Sequence, residues 1–432
     1  MKLPVWPILA LAFCLAGADP EFRGNPQRTG VYPASAHEPV GNAKWKFHTD
    51  GRVTSSPAVD GSSVDVGSTD GCMYAIDKDT GTKLWQVRTS APITSSPAVS
   101  GNLVYFGSYN GAFYALEKSS GKVAWKFKTA GERRFIGTHL HGSEPAAEPM
   151  PDPFDCFLSS PTVLKGAVYF GSGDGNVYSL NAETGALNWK CKTGDVVHAS
   201  PAISDGILYV GSWDSYFYAI HTATGKLLWR FKTGEDPDTH NQQGIQSSAC
   251  VADGSVFFGC CDSKFYALDA KTGEKKWSFD NKGSWVVGSP AVRNGKVFFA
   301  TSDSSLLYEV DEKTGKAAFS LNFKGWPLFS SPAVAGNRLY VGSNEGKLLA
   351  IDLAGQKVAW SFQTEASKAH QGTYVKPDGS PNYEAAFAST FYDDMIVGVN
   401  RIYEMGCIQS SPVVVGDTIY VGSADGNLYA VN

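Results

Sequence analysis

Two histidines and a glutamate lie close together in a polar stretch of the chain, GERRFIGTHLHGSEPAAEPMPDPFDCF, residues 131–157. If this stretch is extended, His139 and His141 point to the same side, because alternate side chains of an extended chain share a face. Glu144 then lies within reach, and two imidazoles with a carboxylate can hold a divalent metal. The alternative is a polar loop whose histidines hydrogen-bond to backbone.

Arg133 and Arg134 stand near the start of the same stretch. An arginine pair can bind the oxygen atoms of an anionic ligand, because each guanidinium presents a fork of N–H donors. The same pair can instead anchor the loop through ion pairs, and both interpretations stay open.

A later stretch, residues 364–408, carries the candidates for carboxylate chemistry. Glu384 and Asp393 could serve as metal ligands or general bases. Solvated loop charges are the alternative. The other polar and aromatic candidates of this stretch are Tyr383, Tyr392, Asp394, Asn400, Arg401 and Glu404.

Another group of candidates occupies one repeated position, two residues before a recurring Ser-Pro or Ser-Ala pair. His198, Gln246 and Gln409 hold this position in three repeats. The remaining repeats have Thr54, Thr94, Leu158, Val287 and Phe329. Several of these eight residues are polar, whereas a purely structural plug of the channel would more often be apolar or small. Ligand contact at the channel mouth is therefore the alternative to a structural plug.

Three tryptophans and a cysteine pair complete the candidates. Trp213, Trp285 and Trp326 lie in short connections or turns, where an aromatic ring can stack on a planar ligand or cap the structure beneath it. Cys260-Cys261 replaces the usual residues of a repeated Gly-Ser turn, either as two small buried side chains or as a functional pair.

The elements that position these residues are short strands in a repeat. The stretch from Ser200 to Trp229 contains four short apolar runs separated by turn residues such as Asp205-Gly206 and Thr224-Gly225, which predicts a four-stranded antiparallel sheet. Such a sheet cannot bury both faces alone, so copies must stack. The start of the unit recurs at Ser56, Ser96, Ser160, Ser200, Ser248, Ser289, Ser331 and Ser411.

An aromatic residue marks the fourth strand of most units, but the last unit stops after three strands, at NLYAVN. The missing aromatic is Trp45, at the other end of the repeat array. A fourth strand given by the N-terminus to the C-terminal unit closes a ring and removes exposed sheet edges. The sequence therefore predicts an all-β fold, an eight-bladed β-propeller of four-stranded antiparallel blades, over residues 44–432.

Longer connections between units occur at about 131–157, 234–246 and 364–408. All three join the outer strand of one unit to the inner strand of the next, so they open on the same face of a propeller. Long loops on a rigid scaffold are where binding or catalysis usually occurs.

The repeat SSPAV…GxVYVGS.DGxxYAxDxxTGxxxW, together with FRGNPQRTG near the N-terminus, resembles the PQQ-like (pyrroloquinoline quinone) repeat β-propeller family. That family includes the outer-membrane assembly factor BamB and the PQQ-dependent alcohol dehydrogenases. The resemblance covers roughly residues 22–432 and implies that the outer-strand tryptophans dock one blade on the next. It implies little about function, because members with and without quinone share the repeat.

The resemblance gives the cysteine pair and the cofactor a specific interpretation. PQQ-dependent alcohol dehydrogenases carry a disulfide between adjacent cysteines that packs over the quinone, and Cys260-Cys261 is similar as a dipeptide. The cofactor candidates are therefore PQQ with calcium, or a divalent metal. The chain has no CxxCH motif for a haem and no assignable calcium set.

The first 18 residues read as a signal peptide, with one lysine, an apolar run and a small-residue end at Ala16-Gly17-Ala18. Residues 19–43 then form an N-terminal arm, and the protein is expected to be periplasmic or secreted. A lipid anchor at Cys14 is not expected, because Phe13 stands where a small residue is needed. The net charge of -5 argues against a nucleic-acid partner, and no apolar run is long enough for an integral membrane protein.

Two function classes follow from the sequence. The first is a binding scaffold that resembles BamB and engages a protein or peptide of the cell envelope, or a small molecule, through its loop-rich face. The second is a PQQ- or metal-dependent enzyme, similar to the alcohol dehydrogenases, with its site in the loop-rimmed funnel. The missing calcium set and haem motif favour the scaffold, whereas the long insertions and clustered histidines favour the enzyme.

Overall fold

The computed structural model describes residues 18–234 and 243–432. The expected signal peptide and Cys14 lie outside these residues, except for Ala18, and so does most of the second insertion. Eight four-stranded antiparallel sheets are arranged as the blades of a propeller, which confirms the predicted fold class. We number the blades in the order of their inner strands.

The strands of each blade are given from the inner to the outer strand. Blades 1 to 4 are Ala58–Asp60, Ser63–Gly67, Cys72–Asp77 and Lys83–Arg88; Ala98–Ser100, Leu103–Ser108, Ala112–Glu117 and Val123–Lys128; Thr162–Leu164, Ala167–Gly171, Asn176–Asn181 and Leu187–Lys192; Ala202–Ser204, Ile207–Gly211, Tyr216–His221 and Leu227–Lys232. Blades 5 to 8 are Cys250–Ala252, Ser255–Gly259, Lys264–Asp269 and Lys275–Asp280; Ala291–Arg293, Lys296–Ala300, Leu306–Asp311 and Ala317–Asn322; Ala333–Ala335, Arg338–Gly342, Lys347–Asp352 and Lys357–Gln363; Val413–Val415, Thr418–Gly422, Asn427–Val431 and Ala43–His48.

The outer strand of blade 8 comes from the N-terminus, as the sequence predicted. Trp45 pairs with Ala430 in an antiparallel ladder, so the first and last parts of the described chain close the ring. A further short strand, Val31–Tyr32, adds to the inner edge of blade 7 in parallel.

The remaining elements lie in the arm and the insertions. They are the 3-10 turns Phe22–Gly24 and Leu140–Gly142, the hairpin strands Ile136–Gly137 and Met150–Pro151, and helices α1 Glu365–Tyr374, α2 Tyr383–Ala386 and α3 Tyr392–Tyr403.

Serine hydrogen bonds join the inner strands around the central channel. The backbone N–H of the serine before the proline donates to the hydroxyl of the matching serine in the next blade, at 2.8–3.2 Å. The preceding serine donates its hydroxyl to a carbonyl of the next blade, as in Ser95 to Ser159 at 2.9 Å. Buried backbone groups need such partners. The first set of links runs Ser56 to Ser96, Ser96 to Ser160, Ser160 to Ser200, Ser200 to Ser248, Ser289 to Ser331, Ser331 to Ser411 and Ser411 to Ser56.

The outer-strand tryptophans dock seven of the eight blades on the next one, and blade 6 has Phe319 in this position. Trp189 Nε1 donates to the Thr222 carbonyl at 2.7 Å, and its ring covers Gly225 in the same turn. A Cβ at Gly225 would lie 2.7 Å from that ring, which explains the glycine of the repeated Thr-Gly turn. The same contact is made by Trp45, Trp85, Trp125, Trp229, Trp277 and Trp360.

The N-terminal arm fills the channel below the serine ring. Its carbonyls accept hydrogen bonds from the middle of inner strands, including Ile203 N–H to Pro26 at 2.7 Å and Val292 N–H to Thr29 at 3.0 Å. Arg28 is fully buried and donates to carbonyls of blades 3 and 4 and to the Thr162 hydroxyl. The arm therefore closes the channel from the face opposite to the insertions.

Replacing Arg28 with methionine tests this role of the arm. Arg28→Met leaves several buried acceptors without a donor, so the free energy of unfolding is expected to fall by about 3 kcal/mol or more. Urea unfolding followed by tryptophan fluorescence measures the change. The matched control is Arg88→Met, which removes an exposed arginine that donates to the Asp70 carbonyl at 2.9 Å and is expected to change stability by about 0.5 kcal/mol or less. Equal losses in both variants would contradict a structural role for the arm.

Candidate functional site

The first and third insertions, residues 131–157 and 364–408, meet above the channel on the face that we call the top face. Tyr392 N–H donates to the Glu144 carbonyl at 3.0 Å, and Glu144 N–H donates to the Thr390 carbonyl at 2.8 Å. The Tyr392 hydroxyl also donates to the Pro151 carbonyl at 2.5 Å. The two insertions therefore form one roof over the channel mouth.

Helix α3 provides the inner surface of this roof. Its apolar residues recur at helical spacing, at Met395, Val399, Ile402 and Tyr403, and so form one stripe along the helix. Gly398 allows the close approach of the Phe387 ring, because a Cβ there would lie 2.2 Å from it. The stripe faces the tops of the blades rather than solvent.

A cavity of about 580 Å³ lies between this roof and the tops of blades 6 and 7. We call it the apolar cavity, since aromatic and aliphatic side chains form most of its wall. The polar side chains that reach it are His141, Ser302, Asp303 and Asn344. Its apolar lining residues are Phe154, Trp285, Pro327, Phe329, Tyr383, Phe387, Met395, Val399, Ile402 and Tyr403.

A second cavity, of about 500 Å³, lies on the other side of α3, above blades 8, 1 and 2. We call it the arginine cavity, since Arg52 and Arg134 line it. Val399 and Tyr403 border both cavities, so α3 separates them.

His198 is buried at the channel mouth and held between two carboxylates of the first insertion. Its Nδ1 lies 2.6 Å from Asp155 Oδ1, and its Nε2 lies 3.5 Å from Glu132 Oε2. Burial lowers the pKa of His198, but Asp155 and Glu132 together raise it to about 10. The imidazole is therefore charged at neutral pH and fixes the insertion to blade 4.

The two carboxylates around His198 are themselves fixed by donors. Asp155 accepts the Phe135 N–H at 2.6 Å, and Glu132 accepts the Gly173 N–H at 2.6 Å. Sequence analysis missed Asp155 and Glu132, because a carboxylate in a polar loop gives no signal of its partner.

The segment around the two other candidate histidines is not extended. His139 and His141 both have left-handed backbone angles, with φ of 58° and 50°. His141 pairs with Asp152 at 3.1 Å, whereas His139 and Glu144 are exposed. Within residues 18–234 and 243–432, no group of three or more His, Cys, Asp or Glu side chains could hold a metal ion. Metal binding by His139, His141 and Glu144 stays a prediction from the sequence.

The two adjacent cysteines are free and buried. Cys260 Sγ donates to the Gly244 carbonyl at 3.3 Å, and Cys261 packs in the apolar cluster that contains Trp213 and Trp285. Burial raises the pKa of both thiols well above its ordinary value. Neither cysteine lines the apolar cavity or the arginine cavity.

The three tryptophans have different positions. Trp213 stacks on Phe135 of the first insertion with ring centroids 4.6 Å apart, and Trp326 Nε1 donates to the Gly379 carbonyl at 3.0 Å. Both therefore hold an insertion in place. Trp285 lines the apolar cavity, where it packs on His141.

The mouth glutamines also contact the roof. Gln246 donates to the Phe154 carbonyl at 3.0 Å, and Gln409 lies 3.4 Å from the Tyr403 hydroxyl. Together with His198 they line a space of about 40 Å³ between the mouth and Phe22 of the arm. That space is large enough for one or a few water molecules but too small for an organic ligand.

The remaining candidates lie on the surface or at the second cavity. Glu384 and Asp393 are exposed and line neither cavity. Arg133 forms an ion pair with Asp195 at 2.7 Å, whereas Arg134 lines the arginine cavity. Sequence analysis missed Arg52, which precedes the Ser-Pro marker of blade 1 in a connection of ordinary length.

Fold and top face together define an eight-bladed PQQ-like β-propeller with a roofed mouth. The family model described as outer membrane protein assembly factor BamB matches residues 34–150, 146–279 and 262–432. The chain belongs to this family. No curated protein sequence matches the chain significantly.

Solved structures share the fold at low sequence identity. BamB from Moraxella catarrhalis is similar with a TM-score of 0.63 and 16% identity, over 90% of this chain and 96% of that one. A europium-containing methanol dehydrogenase has a TM-score of 0.69 and 14% identity, over 96% of this chain and 98% of that one. Quinohemoprotein alcohol dehydrogenase from Comamonas testosteroni has a TM-score of 0.67 and 14% identity, over 96% of this chain and 80% of that one. At this identity the likeness establishes the fold alone.

The His198 cluster predicts a specific pH dependence of stability. A histidine whose pKa is raised to about 10 in the folded state stabilises the fold fully below its ordinary value, and this contribution is lost as the pH rises towards 10. The free energy of unfolding is therefore expected to fall between pH 7 and 10, by at most about 1.4 kcal/mol per pH unit from this group. In His198→Gln the fall is expected to be shallower, and stability at pH 7 lower.

Chemical denaturation across this pH range measures both effects. His221→Gln is the control, since His221 is in the same blade and forms no ion pair in the described part of the chain. Identical pH profiles for the native protein and His198→Gln would show that the charged cluster does not stabilise the roof.

Proposed function

We propose that the chain is a non-catalytic binding protein of the cell envelope that holds an extended apolar segment of a partner protein in the apolar cavity. The observation that carries the proposal is the cavity itself, roofed by α3 and walled by aromatic rings. Cavities of about 300–1,000 Å³ with mostly apolar walls and a few fixed polar groups are typical small-molecule sites, and the apolar side chains of a bound segment need a cavity of the same character.

Exposed apolar side chains on the same roof support a protein partner. Ile136, Tyr383, Phe391 and Val397 are between 41% and 56% exposed, and all belong to the first or third insertion. Exposed apolar groups next to a cavity favour an interface with another polypeptide. The polar side chains at the cavity, named above, can accept hydrogen bonds from the backbone of an extended segment or donate hydrogen bonds to it.

Family membership supports the same class of partner. The family description names outer membrane protein assembly, and one solved structure of this fold is a BamB. We therefore take the occupant to be a strand segment of an outer-membrane protein or of its assembly partner. Such segments alternate apolar and polar residues, so one face of the segment is apolar.

Quinone chemistry is the less favoured alternative, because the described residues do not fit the cofactor. Pyrroloquinoline quinone is a planar tricarboxylate, so a site for it with calcium needs cations, an aromatic surface and oxygen ligands together. In the part of the chain that the structure describes, no Arg or Lys lines the apolar cavity, and no Asp or Glu lines the arginine cavity. The buried Cys260 and Cys261 line neither.

Export of the chain is part of the proposal. It rests on the signal-peptide pattern of residues 1–18, which lie outside the described residues except for Ala18. Among residues 18–234 and 243–432, none of the helices has the length and apolar character needed to cross a bilayer.

A substitution that fills the apolar cavity tests the proposal. Met395 is half-buried and lines the cavity, so Met395→Trp is expected to occupy the space that an apolar segment needs. Binding of a fluorescent 12-residue peptide with alternating aromatic and hydroxyl residues is expected to weaken at least tenfold, about 1.4 kcal/mol or more. Fluorescence polarisation measures the dissociation constant.

Ala354→Trp is the matched control, because Ala354 is exposed in a turn on the opposite face. It is expected to leave binding unchanged, and both variants are checked for an unchanged unfolding temperature. Binding that is equally strong in Met395→Trp contradicts the proposed site. A stoichiometric quinone spectrum with calcium and alcohol-dependent dye reduction would favour the enzyme instead.

A further inference from the structure

We infer that the arginine cavity is a binding site for an oxyanion of a small molecule, a phosphate or a carboxylate, separate from the site proposed for the partner segment. Its wall combines two guanidinium groups with several hydroxyl groups, and none of the Asp or Glu residues within 18–234 and 243–432 is part of it. That combination is suited to negatively charged oxygen atoms.

The two arginines have no carboxylate partner among the described residues. Within residues 18–234 and 243–432, neither Arg52 nor Arg134 forms an ion pair within 4 Å, in contrast to Arg133, which pairs with Asp195 at 2.7 Å. A positive charge at a cavity wall without a counter-charge attracts an anion from solution.

Arg52 is held in place with donors to spare. Its guanidinium lies 4.5 Å from the centre of the Tyr403 ring, and its Nη2 donates to Asn400 Oδ1 at 2.8 Å. In the described part of the chain, its Nε and Nη1 have no hydrogen-bond partner. Its fixed orientation reduces the entropy cost of ligand binding.

Threonine hydroxyls of the wall are also available as donors. Thr69 Oγ1 accepts the backbone N–H of Arg52 at 2.7 Å, and Thr94 Oγ1 accepts the backbone N–H of Leu158 at 3.0 Å. Each hydroxyl therefore keeps its own hydrogen for another acceptor. A ligand oxygen in the cavity is such an acceptor.

A buried polar atom without a partner provides independent support. Thr54 is 7% exposed and lines both the arginine cavity and the space of about 40 Å³ at the mouth, and its Oγ1 has no hydrogen-bond partner among the described residues. Buried hydroxyl groups are rarely left unsatisfied in folded proteins, so a missing ligand or water is the physical explanation.

Other ionisable groups at the cavity leave its charge positive. Burial raises the pKa of Cys156 to about 12 and that of Tyr109 above its ordinary value, so both are neutral at pH 7. Asp155 lies near Arg134 but is paired with His198. The apolar part of the wall, which includes Ile396 and Val399, can cover the carbon skeleton of an organic anion.

Isothermal titration calorimetry on the folded full-length mature protein at low ionic strength tests the inference. Inorganic phosphate and succinate are titrated separately, and at least one is expected to bind. Arg52→Gln and Arg134→Gln are each expected to weaken that binding at least tenfold. Arg133→Gln removes the same charge outside the cavity and is expected to change binding less than twofold.

Sedimentation with phosphatidylglycerol vesicles distinguishes a lipid headgroup from a free anion. Binding to vesicles but not to either free anion, lost in Arg52→Gln and Arg134→Gln only, assigns the site to a phosphate headgroup. The inference is overturned if neither anion nor vesicles bind, or if Arg133→Gln weakens binding as much as the cavity variants. Unfolding temperatures of the variants exclude misfolding, and the peptide assay at the apolar cavity is independent of both results.

Discussion

The hydrogen-bonded ring of serines around the channel is the constraint on which the rest of the structure depends. Inner strands bring backbone N–H and C=O groups into a place that water cannot freely reach, and each group needs a partner. Serine hydroxyls of the ring accept a hydrogen bond from one neighbouring blade or donate one to a carbonyl of another. Each blade is thereby joined to the next. The link from Ser411 to Ser56 joins the two ends of the array. Because this ring is rigid, the connections above it can lengthen without disturbing it.

The arm determines which part of the propeller is open to a ligand. Burying an arginine is costly unless its N–H groups find acceptors, and Arg28 finds them in carbonyls of two blades. With the channel filled from one side and His198 paired at the mouth, the remaining space lies under the roof. Helix α3 divides that space into an apolar cavity and a cationic one, so one helix gives the two sites opposite chemistry.

The blades could be predicted from the sequence because the repeat encodes local turns and a two-residue alternation. Trp45 completing the last blade followed from counting, and the structure confirms it. The cavities could not be predicted in the same way, since Arg52, Tyr403 and Trp285 are far apart in the chain and meet only after the roof folds. His139 and His141 illustrate the limit, because their spacing suggested an extended segment, whereas both have left-handed backbone angles.

Ligands are expected to bind under the roof and not along the exposed edges of the blades. Hydrogen–deuterium exchange on the native protein, with and without the alternating strand peptide, tests it most directly. We expect slower exchange in residues 131–157 and 364–408 when the peptide is bound, with unchanged exchange in outer strands such as Val123–Lys128 and Leu227–Lys232. Slower exchange confined to outer strands would show that the peptide adds to a sheet edge, and would contradict the account.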